Sequence, residues 1–197
     1  MSPRSLSELL LASSKLHHHL CPKQVLGVRM GLLAGKILNL ELPQIDKRLL
    51  TIMETDGCAS DGIAVVTNCW VGKRTLRIED YGKVAATCVD TLTGRAVRIL
   101  PAPTARTLAL KYAPQAPSLW EAYLLGYQRM PDEELLAYSF VDLNVPIEKI
   151  VSHPESRATC QQCGEEIINE RELNIDGRIL CRACAGFAYY KPLPGKD

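Results

Sequence analysis

The sequence has almost no surplus of charge of either sign. Its 23 Lys and Arg against 22 Asp and Glu leave a formal net charge of +1 and a pI near 7.6. That balance argues against a chain that works on nucleic acid or on an anionic membrane surface. No apolar run is long enough to span a membrane, since the richest segment, residues 25–40, is interrupted by Arg29 and Lys36, and no membrane partner is expected. The first 19 residues contain no unbroken apolar run longer than Leu9 to Ala12. This is far short of a secretory signal core, and the expected location is cytoplasmic and reducing. Internal repeats and low-complexity tracts are missing as well. Cysteine is too sparse, at eight in 197 residues, for a disulfide-held miniprotein, yet more abundant than an intracellular enzyme ordinarily needs. With 47% hydrophobic and 23% charged residues the chain is ordinary globular material, long enough for one large domain or one domain with a small appendage.

Local signals divide the chain into elements. Ser5-Leu6-Ser7-Glu8 is a capping box opening a helix to about Leu16. Pro22 suits the first turn of a second helix ending near Leu38. Gly27, Gly31 and Gly35 repeat at four-residue spacing on it. Each costs about 1 kcal/mol relative to Ala, so they predict a smooth face where another segment comes close. Leu49–Met53 reads as a buried strand, and Ala59–Cys69 as a helix capped by Ser60 or Asp61. Thr75–Glu79, Lys83–Asp90 and Arg95–Leu100 read as short strands joined by turns at Asp80-Tyr81-Gly82 and Leu92-Thr93-Gly94. Helices follow at about 104–112 and 118–129, a short one from Pro131, and a strand from Tyr138 to Val145. The order implies an α+β core of helices packed on a mixed, mostly antiparallel sheet, with an antiparallel meander. The core is expected over residues 1–151, a linker over 152–156, and a second small domain over 158–197.

Four cysteines explain that second domain. Cys160-x-x-Cys163 and Cys181-x-x-Cys184 are separated by 17 residues. Each pair forms a knuckle that points two sulfurs at one ion, and Asp176-Gly177 makes a hairpin turn between Leu173–Ile175 and Arg178–Leu180. Four thiolates suit a closed, tetrahedral, structural Zn²⁺. Disulfides or a redox CxxC fit a reducing compartment poorly, and the spacing differs from ferredoxin iron–sulfur runs. Knuckle, hairpin, knuckle and a short helix from Ala183 is the treble-clef pattern. Arg171, Arg178 and Arg182 offset the thiolate charge. Four thiolates and one Zn²⁺ carry −2 together, which takes the formal +1 to about −1, further from a nucleic-acid binder.

The other cysteines sit in polar company. His17-His18-His19-Leu20-Cys21-Pro22 places three imidazoles and a thiol at the junction of two helices. At a chain reversal His17 and His19 point the same way and His18 elsewhere. Asp56-Gly57-Cys58-Ala59-Ser60-Asp61 forms a second cluster at a strand-to-helix junction, and Thr67-Asn68-Cys69 a third. Cys88, in mid-strand, reads as a small core residue. For Cys69 the core and pocket readings are balanced.

His17-x-His19-x-Cys21-Pro22 with Gly27-x-Arg29, then Cys58-x-x-Asp61-x-Ile63, Cys69-x-x-Gly72-Lys73 and Asp80-Tyr81-Gly82-Lys83, resembles the FmdE family of formylmethanofuran dehydrogenase components over about residues 10–145. Some members similarly carry a C-terminal treble clef. The family usually has glycine at the positions of His18 and Lys23, and a small polar residue at that of Trp70. The resemblance implies dimerisation and a pocket lined by His17, His19, Cys21, Cys58, Asp61 and Cys69. In that pocket His17, His19, Cys21 and Cys58 would ligate a second transition metal. Cys21, Cys58, Asp61 and Lys83 would be the catalytic candidates, with Tyr81 beside the substrate. Three functions follow: a metalloprotein attached to molybdenum- or tungsten-dependent formyl-group metabolism, a zinc-finger module contacting protein or nucleic acid, or a thiol redox protein using Cys21 with Cys58 or Cys69.

Overall fold

The capping box at Ser5 starts the first helix. The Ser5 amide donates to Glu8 Oε2 at 2.7 Å and the Glu8 amide to Ser5 Oγ at 3.3 Å, and α1 runs Leu6–His17. In the computed structural model, which describes residues 4–150, 155–191 and Leu193, the chain divides between Ile147 and Glu148 into two compact units.

In the first unit α2, Pro22–Leu38, is the central element. It is buried without a break from Gln24 to Gly31, so it reads as a core helix rather than an amphipathic surface one. It packs on α1, on α3 (Cys58–Thr67) and on α5 (Leu119–Arg129), and crosses strands β3 (Ala86–Asp90) and β4 (Ala96–Pro101). The predicted close approach is real and is closest against α3. A Cβ on Gly27 would lie 2.1 Å from the Ala59 carbonyl oxygen, and one on Gly62 of α3 would lie 2.3 Å from that of Gln24. Gly31 meets the Val66 side chain and Gly35 the tip of Leu42. Arg29 fastens α2 from the other side. It is buried, donates to the Tyr127 and Met130 carbonyls at 2.8 and 2.7 Å, and pairs with Asp132 at 2.8 Å. Helix α4 (Ala105–Tyr112) packs on α5, and the single turn α6 (Asp132–Leu135) leads into the last sheet strand.

The sheet holds β1 (Leu49–Met53), β2 (Leu76–Ile78), β3, β4 and β5 (Leu136–Val141) in the order β2-β1-β3-β4-β5. Strands β1, β3, β4 and β5 are antiparallel neighbours, with Leu50 opposite Val89 and Val97 opposite Phe140. The meander expected from β2 through β4 is corrected. β2 lies beside β1, parallel to it, with Thr51 opposite Leu76, so β1-α3-β2 is a parallel crossover. Asp80-Tyr81-Gly82 is still a turn, the Gly82 amide donating to Asp80 Oδ1 at 3.0 Å, but it carries the chain from one edge of β1 to the other. Helix α3 starts earlier than expected, capped by Gly57, with Cys58 as its first residue. The Ser60 hydroxyl donates back to the Thr55 carbonyl at 2.7 Å. Two ion pairs brace the sheet: Arg98 grips Glu54 with two bonds of 2.6 and 2.7 Å, and Arg48 grips Asp90.

A one-turn helix, α7 (Ile147–Ile150), follows. Residues 152–154 of the expected linker, 152–156, lie outside those described. The second unit consists of two ribbons, β6 (Arg157–Thr159) with β7 (Glu166–Ile168) and β8 (Leu173–Ile175) with β9 (Arg178–Leu180). Asp176 and Gly177 both take positive φ, 51° and 80°, the hairpin turn that Asp-Gly favours. The turn after β9, Ala183–Phe187, is a single irregular coil broken at Gly186, φ 93°. The core of the second unit is minimal: among the described residues Cys160, Ile167 and Leu180 are its buried hydrophobic ones.

Candidate functional site

The second unit gathers its four thiols. The sulfurs of Cys160, Cys163, Cys181 and Cys184 all lie within 4.8 Å of one another, and among the described residues no other group of three or more Cys, His, Asp or Glu does so. A tetrahedral Zn²⁺ with bonds of about 2.3 Å needs sulfurs about 3.8 Å apart, and Cys163 and Cys181 stand at 3.9 Å. Backbone amides point at the sulfurs, Cys181 N–H to Cys160 at 3.3 Å and Cys184 N–H to Cys181 at 3.4 Å. Such donors favour a thiolate. The amides of Cys163 and Cys181 bring the Cys160 thiol down to about 6. Burial and the neighbouring thiols push Cys184 up to about 12. An ion displacing the remaining protons resolves that crowding.

In the first unit the sequence-predicted residues come from three junctions. His17 ends α1, and His18 reverses the chain in the left-handed region, φ 62°. As expected from the reversal, the His17 and His19 rings lie together, centroids 4.7 Å apart; His18 and His19 are both exposed. Asp61, in the first turn of α3, meets His17 Nδ1 with Oδ2 at 2.7 Å. The Asp61 carboxylate thereby fixes the ring and leaves Nε2 for a ligand. Cys21 caps α2 and is buried. Its amide donates to Gln24 Oε1 at 2.8 Å, and the Gln24 amide group donates to the Ser13 carbonyl and hydroxyl at 3.1 Å. Gln24 thus ties the cap of α2 to the end of α1. Sequence reasoning missed it, although Cys21-x-x-Gln24 has the spacing of a capping box. Cys58, half-buried, has its thiol raised by burial and then by the adjacent Cys21 thiol, while the Lys23 ammonium acts the other way.

One expected member lies elsewhere. Cys69 is in the core, 1% exposed, its thiol donating to the Leu49 carbonyl at 3.3 Å, so it is not part of this cluster. Lys83 is anchored through its amide to the Glu54 carbonyl at 2.9 Å, and its ammonium lies 5.9 Å from the centre of the Tyr81 ring. Cys88 is a core residue, its thiol pushed up to about 12 by burial.

The pattern of the family described as FmdE, molybdenum formylmethanofuran dehydrogenase operon, matches residues 16–137, which span these junctions and the sheet. The chain belongs to the FmdE family. A second pattern, the prokaryotic dksA/traR C4-type zinc finger, matches residues 155–190 of this FmdE-family chain. With the four gathered sulfurs, that makes it a metal-binding protein with a structural zinc-finger site. A curated protein of Archaeoglobus fulgidus, named a probable S-adenosyl-L-methionine-binding protein, is 31% identical over 212 aligned residues. The alignment takes in 96% of this chain and 56% of that protein, so the chain spans about half the length of this relative. A solved FmdE-like protein of the tungsten formylmethanofuran dehydrogenase type, from Syntrophus aciditrophicus, shares the fold. Its TM-score is 0.63 at 21% identity, covering 97% of this chain and 100% of that one. Among the described residues no helix is long and apolar enough to cross a membrane.

Proposed function

We propose that this FmdE-family protein is an accessory component of molybdenum- or tungsten-dependent formyl-group metabolism, holding a second transition metal at the junction of α1, α2 and α3. The observation that carries this is the His17–Asp61 bond of 2.7 Å. A carboxylate on one imidazole nitrogen sets the tautomer that offers the other nitrogen to a metal, and strengthens it as a ligand. His17 Nε2, the His19 ring beside it and the Cys21 and Cys58 thiols are the donors, a mixed nitrogen and sulfur set suited to Zn²⁺. These donors are not gathered as the finger sulfurs are, so closing the set would accompany binding. With three of these four donors bound, a zinc ion would keep an open position and would supply an activated water. Around it, Asp61 holds the His17 proton on Nδ1, and Lys23 and Lys83 supply positive charge at the cap of α2 and beside Glu54. The protein is expected to act as a homodimer, and light scattering that returns the mass of a single chain would refute this. Elemental analysis of the intact protein tests the metal centre. We expect two metals per chain, falling to one in Cys21→Ser and Cys58→Ser; a value of one throughout overturns it.

A second reading assigns the finger to partner binding. Phe187, Tyr189 and Tyr190 are exposed, Tyr189 at 98%, and exposed aromatics mark contact surfaces. A low-salt titration with duplex DNA separates partners, since salt-sensitive binding would point to nucleic acid.

A further inference from the structure

The two edges of the sheet are unlike. Edge β2 is three residues long and carries Arg77 at its centre. Short edges and charges of this kind keep other strands from adding on. Edge β5 has six residues, Leu136–Val141, with no charge and no proline among them. Its register against β4 runs through six pairs without a bulge. The Ala102 amide donates to the Leu135 carbonyl at 2.9 Å, and Pro101, opposite Leu136, has no amide hydrogen. Antiparallel strands exchange bonds at alternate residues, so Ala137, Ser139 and Val141 bond to β4 while Leu136, Tyr138 and Phe140 point their backbone groups outward. The Leu136 amide is taken by the Asp132 carbonyl of α6. Those of Tyr138 and Phe140 meet no partner among the described residues. Both side chains stand on the face of Val97 and Ile99, edge to face with centroids 6.2 Å apart, and are 54% and 59% exposed.

We propose that β5 pairs with β5 of a second copy of this chain, antiparallel about a two-fold axis at Ser139, so that two five-stranded sheets join into one of ten. Self-complementarity selects this occupant. A strand laid antiparallel to itself about a two-fold axis presents the same donors and acceptors from both sides. With Ser139 opposite the partner's Ser139, Tyr138 faces the partner's Phe140 and Phe140 the partner's Tyr138. These are the residues whose backbone groups point outward, so each pair exchanges two bonds. Their rings meet on one face as cross-strand aromatic pairs, a favourable combination. Charge selects the register. An axis at Tyr138 would set Glu134 against the partner's Asp142 and would need the Leu136 amide that α6 already holds. An axis at Phe140 would set each Tyr138 against a carboxylate, the partner's Asp142. The axis at Ser139 pairs residues 137–141 and brings no charge opposite another. It also places both helix layers on the same side of the joined sheet.

The inference rests on the homodimer reading above and says which surface makes the dimer. The test uses the zinc-loaded full chain and two variants. Ser139→Cys puts a thiol at an exposed position directly opposite its own copy, in the closely spaced class of antiparallel pair. Mild oxidation followed by peptide mapping should show a cross-link between the two copies at residue 139 in most chains. Phe140→Lys places a charge on the edge without touching the bonds to β4. Light scattering should move from the mass of two chains to that of one, with the circular dichroism spectrum unchanged. Should Phe140→Lys fail to fold, the Ser139→Cys cross-link still decides. A two-chain mass in the wild type without that cross-link, or one that a folded Phe140→Lys protein retains, overturns the β5 pairing and keeps the homodimer. A single-chain mass in the wild type at every concentration overturns both.

Discussion

Replacing Gly27 by alanine tests the packing on which the junction depends. In an ordinary helix interior the change would stabilise by about 1 kcal/mol, because glycine is the poorer helix former. Here the new methyl would stand 2.1 Å from the Ala59 carbonyl oxygen. Carbon and oxygen approach no closer than about 3.3 Å even in a favourable C–H···O contact, so α2 and α3 would have to separate by about 1 Å. The obstacle is backbone and cannot rotate away. Overpacking of this kind costs about 1–3 kcal/mol; a backbone obstacle sets the upper end, and after the helix gain of about 1 kcal/mol we expect Gly27→Ala to unfold at lower urea with a net loss of about 2 kcal/mol. Two further glycines of the same helix supply the scale. Gly31 would meet the Val66 side chain at 3.1 Å, and Gly35 the Leu42 Cδ1 at 2.7 Å, the far end of a flexible side chain. The expected order of cost is Gly27 first, then Gly31, with Gly35 near neutral. Urea unfolding followed by circular dichroism reads all three. A Gly27→Ala protein as stable as wild type would refute the interlocked geometry.

Arg29→Met removes two bonds to helix-end carbonyls and one partner of Asp132, which keeps Lys36 at 2.7 Å. Breaking such a buried pair costs about 3–5 kcal/mol. We expect the lower end by urea unfolding, and a loss below about 1 kcal/mol would contradict it. The Arg98 guanidinium holds the Glu54 carboxyl below its usual range, and Arg48 does the same for Asp90. Carboxyls depressed in the folded state contribute stability above the unfolded value, near pH 4, and lose it as pH falls through the folded value. The urea midpoint should therefore hold from pH 7 to 5 and drop below about pH 4, whereas a drop confined to pH 8–5 would exclude these pairs as its cause. Chelation should release the finger zinc and move the Ile167 and Leu180 amide resonances to unfolded positions. Metal binding of about 10 kcal/mol or more outweighs so small a core, and resonances of the first unit should persist.

What was legible in the sequence depended on how local the cause was. Pro22 at the first turn, the Ser5–Glu8 box and Asp176-Gly177 are short-range signals, and the helices and hairpin they announce stand where expected. The chain reversal that pairs His17 with His19 was readable for the same reason. β2 was recognisable as a strand but not as the parallel partner of β1, because alternation states that one face is buried and not against what. Cys58 and Cys69 posed a similar difficulty. They flank one helix, in similar polar company, and only the packing of α3 decides that its start opens to the junction and its end enters the core. Gly62 was invisible as a packing position because it stands alone, whereas Gly27, Gly31 and Gly35 formed a pattern.

The crossover β1-α3-β2 has an evolutionary consequence. Cys58 follows the carboxyl end of β1 after a connection of four residues, 54–57. The first of these, Glu54, is clamped by a sheet residue, Arg98. Ends of strands in this position accept new side chains without altering the register behind them. Residues 55–57 can therefore drift while Thr51 and Met53 keep their partners, so the reactivity of this junction can diverge among relatives faster than the scaffold that presents it.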